Sequence, residues 1–429
     1  IGGVGAVIIF LPQIVILFFF LGLLEDSGYL PRAAFIVDRL FRWCGLSGKS
    51  FVPLLSSFAC AIPGIMATRT IQSPRQRLLT IVVAPLMSCS ARLPVYTIMI
   101  SAFIPYQSYL GVFNSQGLTM LGLYFLGIVT AVAVSLLLKK QVAKGATDSF
   151  AMELPTYKTP TLKGIWLRTS ISASAFLKRA GTIILAISVI VWALSYYPRA
   201  PEINTAYDTQ LELALADAER ELEAIASSIE PGLAPEDFSR RAQDAISGAD
   251  SVGRSLWLDA RGRFSARVAS RDTELRTLKD NLAGENLRQS FLGRTGRTLE
   301  PLFEPLGWDW RVTMSALAAF PAREVVIATL GTVYNLGADE DETSISLVEK
   351  LRGSTRDSGP RAGEPVFNVA VAMSLMVFFA LCCQCGATLA VIRRETGSWG
   401  WAAFTFSYMT ALAYAGAWAA YRLTSIVAL

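Results

Sequence analysis

The chain has 429 residues, of which 52% are hydrophobic and 17% charged, against roughly 25% charged in a soluble domain. It contains no histidine, which excludes imidazole metal ligands, Ser-His-Asp triads and imidazole acid–base chemistry, and no catalytic residue is assigned. Of its 39 basic and 34 acidic side chains, residues 201–300 hold 13 and 18, so most of the chain is composed for lipid and one block for water.

Residues 4–24 are uncharged and long enough to cross a bilayer, with Pro12 as a kink point. The chain opens on Ile1 with neither an initiator Met nor a signal peptide, and is expected to continue a longer protein. Apolar spans follow at 78–104 (interrupted by Arg92), 117–138, 180–198, 365–392 and 399–421. In the last, Trp399, Trp401 and Tyr421 fit an interfacial aromatic belt. The basic residues of 139–179 place that loop in the cytoplasm. Arg32, Arg39, Arg42 and Lys49 on one side, and Arg69, Arg75 and Arg77 on the other, place both flanks of 51–68 there too. Segment 51–68 is therefore expected to be re-entrant, with Pro53, Pro63 and Gly64 supplying the breaks. By the same count 180–198 runs outward, which puts 199–290 outside, in the periplasm. Its apolar spacing (Leu211, Leu215, Ala218, Leu222, Ile225, Ile229, then Leu275, Leu278, Leu282) predicts a helical hairpin acting as a solvated cap. A second broken segment covers 312–335 and re-enters from the opposite side if the acidic loop 337–364 lies outside.

The two broken segments resemble each other. LSSFACAIPGIMAT (55–68) and LAAFPAREVVIAT (317–329) share a leucine, two small residues, a phenylalanine, a centre with proline and small residues, and a closing Ala-Thr. Paired interrupted segments in two halves point to a transport site near the bilayer midplane. Two ordinary kinked helices are the alternative.

Five of the six cysteines lie in apolar segments, and no secreted-type disulfide framework is present. Cys60 is central to the first broken segment, six residues before Met66; Cys89 lies at an expected break before Pro94. Cys382, Cys383 and Cys385 form a cluster that cannot face one ion unless the helix unwinds, because neighbours on a helix point about 100° apart. Sulfur donors select soft or borderline metals, although a buried cysteine is also simply a small apolar side chain. Charges in apolar context are functional candidates: Arg69, Arg92, Arg323, Glu324 and Glu395. Glu324 is a hard oxygen ligand or the partner of an arginine in the first half; Arg69 alternatively snorkels to the interface. The string Gly45-Leu46-Ser47-Gly48-Lys49-Ser50 imitates a phosphate loop but has Trp43 where the motif needs glycine, and no strand precedes it.

Several long strings, LLEDSGYLPRAAFIVDRL (23–40), GLSGKSFVPLLSSFACAIPGIMATRTIQSPRQRLLTI (45–81), PLMSCSARLPVY (85–96), ELPTYKTPTLK (153–163), REVVIATLG (323–331) and RRETGSW (393–399), resemble the membrane domain of the bacterial ferrous iron transport protein B family. The resemblance covers nearly the whole chain except 199–290. It implies an inner-membrane Fe(II) importer whose gate motifs correspond to Phe51–Thr70 and Met314–Thr332. It places GTP and Mg only in an N-terminal GTPase domain outside this chain. It allows small cytoplasmic Feo-type accessory proteins and further copies of the chain as partners. Nucleic acid is not expected as a partner. The sequence departs from the family pattern at Ala59-Cys60-Ala61-Ile62-Pro63, which lacks the usual amide, at Ala322-Arg323-Glu324, which has Arg for Lys, and at Cys382-Cys383-Gln384-Cys385, where Pro-Cys is common.

The predicted fold is an all-α polytopic membrane protein. Two inverted gate-containing halves, residues 1–198 and 291–429, carry broken or re-entrant helices, and 199–290 forms a helical extramembrane insertion. The metal path is expected to use Cys60, Cys89, Cys383, Cys385, Glu324 and Met66. Pro63, Gly64, Arg69, Arg92, Pro321 and Arg323 are expected to shape the gates. A nucleoside or other organic-solute carrier is the alternative, which predicts amide and aromatic groups instead of thiols.

Overall fold

The computed structural model describes residues 27–109, 113–142, 159–177, 181–199, 201–248, 251–320, 325–334, 345–356, 363–383 and 385–427, with scattered positions before 27 and single ones at 157 and 323. The described residues are mostly helical. Strand pairing is limited to Ser108–Tyr109 (β1) with Phe113–Asn114 (β2), antiparallel, and an isolated bridge between Thr355 and Pro365. The chain is thus an all-α membrane protein. Three helical stretches are long and apolar enough to cross a bilayer: Pro74–Phe103, Ser115–Lys139 and Val369–Thr396.

The first half of the membrane unit runs through α1 (Tyr29–Trp43), α2 (Phe51–Ala59), α3 (Ala61–Ala67), α4 (Pro74–Val83), α5 (Leu93–Phe103) and α6 (Ser115–Val142). Helices α7 (Leu162–Phe176) and α8 (Thr182–Tyr196) follow. Beyond the insertion helices α9 (Pro201–Ser227), α10 (Pro235–Gly248) and α11 (Ser251–Gln289), the second half has α12 (Phe291–Phe303), α13 (Trp310–Ala318), α14 (Val325–Val333), α15 (Ile345–Gly353), α16 (Val369–Leu381), α17 (Gly386–Thr396) and α18 (Trp399–Val427). The order of element types repeats. An amphipathic helix (α1, α12) leads into a short broken pair (α2/α3, α13/α14), then an interrupted span (α4/α5, α16/α17), then an unbroken long helix (α6, α18).

Composition explains the packing. Helix α16 is apolar all round and is buried on nearly every side, as such a helix must be. Against it lies α18, where a side chain at Gly416 would come within 2.8 Å of Leu381. Trp308 is fully buried, stacks on Phe303 at 5.3 Å and donates its indole N–H to Ser374 Oγ at 3.2 Å. Helix α6 instead exposes Leu118, Leu121, Phe125 and Leu137, a lipid-facing stripe. In a bilayer the alternative to helix packing is hydrocarbon, so close contact and satisfied backbone hold the helices together more than exclusion of water does. Asp309 and Asn368 do part of this, their side chains accepting from Val312 N (2.9 Å) and Val371 N (2.8 Å) at the starts of α13 and α16.

The phosphate-loop imitation has a structural use. Gly48 N donates to the buried Asp38 Oδ1 at 2.7 Å, and a side chain at Gly48 would reach Ala34 O at 2.6 Å. Glycine there lets the loop close on α1.

A second compact unit comprises residues 196–291 and 331–338. The expected hairpin of α9 and α11 is joined by a third helix, α10, which the amphipathic spacing of its neighbours did not announce. Phe238 of α10 stacks on Phe264 of α11 at 4.3 Å, and Leu222, Ala226, Ala242 and Ala260 complete the core. Arg241 and Glu230 pair at 2.9 Å on its surface, and the guanidinium holds the Glu230 carboxyl below the usual carboxylate range.

Candidate functional site

The expected breaks are present, but prolines do not make them. Pro53 and Pro63 lie in the first turns of α2 and α3, where a missing N–H costs nothing, and Gly64 is buried inside α3. The chain leaves the helix at Cys60 itself, with φ −156° and ψ 133°. Gly64 serves packing: a side chain there would meet Pro53 O at 2.6 Å.

The other span of this half breaks between α4 and α5. Met87 (φ −61°, ψ 132°) and Cys89 (φ −78°, ψ 159°) are extended, and a single 3₁₀ turn, Ser90–Arg92, restarts the helix. In the second half, Cys382 ends α16 at φ −73°, ψ 155°, and Cys385 precedes α17 at φ −151°, ψ 101°. The unwinding that the Cys382–Cys385 cluster would need is therefore present.

Three thiols share one structural position. Cys60, Cys89 and Cys385 each stand in extended conformation immediately before a restarting helical segment, and each is half-buried. None of the six cysteines forms a disulfide. Cys60, Cys383, Cys385 and Met66 pack on one contiguous cluster, which Met87 also joins. Cys89 is tied to the same place. Ser90 Oγ donates to Ala59 O at 3.1 Å, and Cys89 lies within electrostatic reach of Cys385 and Arg323. The second half repeats that tie, since Gly386 N donates to Phe320 O at 3.0 Å. In both halves the residue after the capping cysteine thus bonds a carbonyl of the neighbouring gate.

Two buried cations close the breaks. Arg92, 1% exposed, donates to Pro85 O (3.0 Å), Met87 O (3.1 Å), Leu86 O (3.3 Å) and Ser88 Oγ (3.3 Å). Arg323, 5% exposed, donates to Cys382 O (2.8 Å) and Phe379 O (3.2 Å) at the end of α16. Interrupted helices leave carbonyls without partners, and each guanidinium supplies donors to them where water is scarce. The two arginines are within electrostatic reach of each other. Close by, the hydroxyl of the fully buried Tyr96 has no hydrogen-bond partner among the described residues.

Arg69 does not merely snorkel. With Arg77 it grips Glu395 at the end of α17, at 2.5 and 2.7 Å, while the Glu395 side chain is only 3% exposed. This pair joins the first gate to the second half across 326 positions. Pro321 and Glu324 lie outside the described residues. Among the described residues, no three His, Cys, Asp or Glu side chains are gathered as a metal cage. The sulfurs are distributed over successive breaks.

Sequence reading missed Glu395 as a partner, Tyr96, and a second internal match. Cys-Ser-Ala-Arg-Leu (89–93) parallels Cys-Gly-Ala-Thr-Leu (385–389), which would have signalled that Cys89 and Cys385 are equivalent.

Residues 7–103 and 177–399 match the family model Gate, described as nucleoside recognition, and residues 120–171 match the C terminus of ferrous iron transport protein B. The chain is 39% identical over 414 residues to the Fe(2+) transporter FeoB of Leptospira interrogans, covering 96% of this chain and 48% of the relative. It is 38% identical over 424 residues to an Fe(2+) transport protein A/Fe(2+) transporter FeoB fusion protein of Porphyromonas gingivalis (99% and 43%). With the Fe(2+) transporter FeoB of Helicobacter pylori it shares 34% over 427 residues (100% and 56%). The chain spans about half the length of these curated relatives. No solved structure matches it significantly.

Proposed function

Because the chain belongs to the Gate family, in the branch formed by the membrane domain of ferrous iron transport protein B, we propose that it conducts Fe(II) inward across the bacterial inner membrane. The observation that carries this reading is the equivalent placement of Cys60, Cys89 and Cys385 at three helix breaks that pack together. Sulfur prefers a borderline ion such as Fe(II) over Mg²⁺ or Ca²⁺ and would replace water stripped from it. Spacing the donors along the breaks favours passage over capture, since a closed cage would hold its cargo. Arg92 and Arg323 occupy the free carbonyls and repel a bare dication, so passage needs negative charge. Thiolates, that of Cys383 among them, and Glu324 would supply it, with Met66 offering a neutral sulfur. The Tyr96 hydroxyl is available to a water on the ion.

The two halves would be inverted, with 139–179 cytoplasmic and 199–290 periplasmic. GTP and Mg would act only through a GTPase domain elsewhere in the full protein, aided by small accessory proteins. An organic-solute carrier would need several amide and aromatic groups at the breaks, where this chain has mainly sulfur and the single amide of Gln384.

The test is Fe(II) uptake by the full-length protein. Cys60→Ser, Cys89→Ser and Cys385→Ser should each cut uptake about tenfold, the scale on which altered metal surroundings act. If all three variants transport at the wild-type rate, the thiol path is wrong.

A further inference from the structure

Beside the first gate lies a cavity of about 230 Å³ that the transport reading does not use. Helix α1 contributes Leu40 and Trp43, the gate helix α2 contributes Leu55 and Phe58, α6 contributes Ala131, and Met87 also lines it. Its lining surface is almost entirely apolar. Water needs polar partners to settle, and a dry cavity of about 150 Å³ already holds benzene, so this one calls for hydrocarbon.

The mouth states which hydrocarbon. Helix α1 turns Leu30, Ala34 and Asp38 inward and leaves Phe35, Ile36, Leu40 and Trp43 exposed, the pattern of a helix lying in a membrane surface. Arg39 is exposed one turn before Trp43, Arg42 is exposed beside it, and Lys139 Nζ is fixed on the carbonyl oxygens of Arg42 and Trp43 at 3.5 and 3.1 Å. The nearby carboxylate, Asp38, is buried and already engaged by Arg42 and Gly48 N. An apolar slot under a cationic rim complements an acyl chain under an anionic headgroup.

We propose that this cavity binds one acyl chain of an anionic phospholipid, with the headgroup phosphate against Arg39 and Arg42. The occupant touches Phe58, two residues before Cys60, and Met87, two before Cys89. It therefore bears on both breaks of the first half and favours the positions of α2 and the α4/α5 break seen here.

Native mass spectrometry of the full-length protein, titrated with phosphatidylglycerol or phosphatidylcholine, reads the lipid directly and does not depend on iron transport. One phosphatidylglycerol should be held more tightly than the rest. Ala131→Phe, which fills the floor, should weaken that retention about tenfold, the worth of a couple of buried methylenes. Arg39→Gln should reduce the preference for phosphatidylglycerol over phosphatidylcholine, with Arg42 holding the remainder, and an unchanged preference would overturn the headgroup assignment. Should Ala131→Phe fail to fold, Leu55→Trp at the rim gives the same reading. Wild-type retention in whichever cavity-filling variant folds, or detergent remaining bound at saturating phosphatidylglycerol, overturns the proposal.

Discussion

The two halves of the membrane unit follow one backbone plan and fill it with different chemistry. In the first half each interruption carries a thiol, Cys60 and Cys89, and Arg92 caps the break of its own span. In the second half the gate break carries Arg323, which reaches across to cap α16, and the sulfur is concentrated at 382–385. Each half ends with one guanidinium and at least one capping thiol, reached by different routes. The shared device is the broken helix. Which residue stands at the break is free to differ, provided that the loose carbonyls find donors.

That comparison can be tested by removing its parts. Arg92→Ala strips donors from three carbonyls and a hydroxyl, and should cost about 3–5 kcal/mol, as when one side of a buried charged arrangement is lost. Arg323→Ala strips donors from the Phe379 and Cys382 carbonyls and should be destabilising on the same scale. Thermal unfolding midpoints in detergent compare the two, and an unchanged midpoint for either variant would break the correspondence. Next come the glycines. Gly64→Ala drives a methyl onto Pro53 O, rigid backbone, whereas at Gly386 the nearest atom is the flexible end of Ile187. Gly64→Ala should therefore cost about 1–3 kcal/mol by the same assay, and Gly386→Ala less. Smaller again is Glu395→Gln, at about 1 kcal/mol, because Arg69 is half-exposed and its pairing is screened. A double-mutant cycle with Arg69→Gln isolates that coupling between the halves, and a value of zero would deny the latch.

The smallest effect belongs to the insertion, which shares none of this plan. Arg241 depresses the Glu230 carboxyl, so the pair contributes above the ordinary glutamate range and is lost as pH falls through the lowered folded value. Protection of the α10 amides, taken relative to the intrinsic exchange rate at each pH, should fall on such acidification in the wild type, and much less so in Arg241→Gln.

The amino-acid sequence disclosed three spans, at 78–104, 117–138 and 365–392, and the broken segments, because these are written in uninterrupted apolar runs and local composition; the span expected at 399–421 forms a long helix, α18, that is less apolar, and the one at 4–24 lies mostly outside the described residues. It misplaced the first break. Proline marks irregular backbone only when it falls inside a helix, and Pro63 falls in a first turn, where it is welcome. Helix α10 was hidden because its core residues, Phe238 and Ala242, are few and its neighbours' spacing already satisfied a hairpin. The Arg69–Glu395 pair could not be read at all. Its partners are far apart in the chain, and nothing in either one's local context names the other. The carbonyl partners of Arg92 were equally silent, since a backbone atom has no sequence signature.

The interrupted spans have a mechanical consequence. Helices α4 and α5 have 10 and 11 residues, so each is about 15 Å long, half the hydrocarbon thickness of roughly 30 Å. A rigid rod answers a thinner bilayer by tilting, but a jointed one yields at its joint. The joint here holds Cys89, so bilayer thickness would act on the placement of its thiol rather than on helix orientation. Reconstitution in lipids of stepped chain length should therefore shift metal uptake, while substitutions that stiffen the break should flatten that dependence.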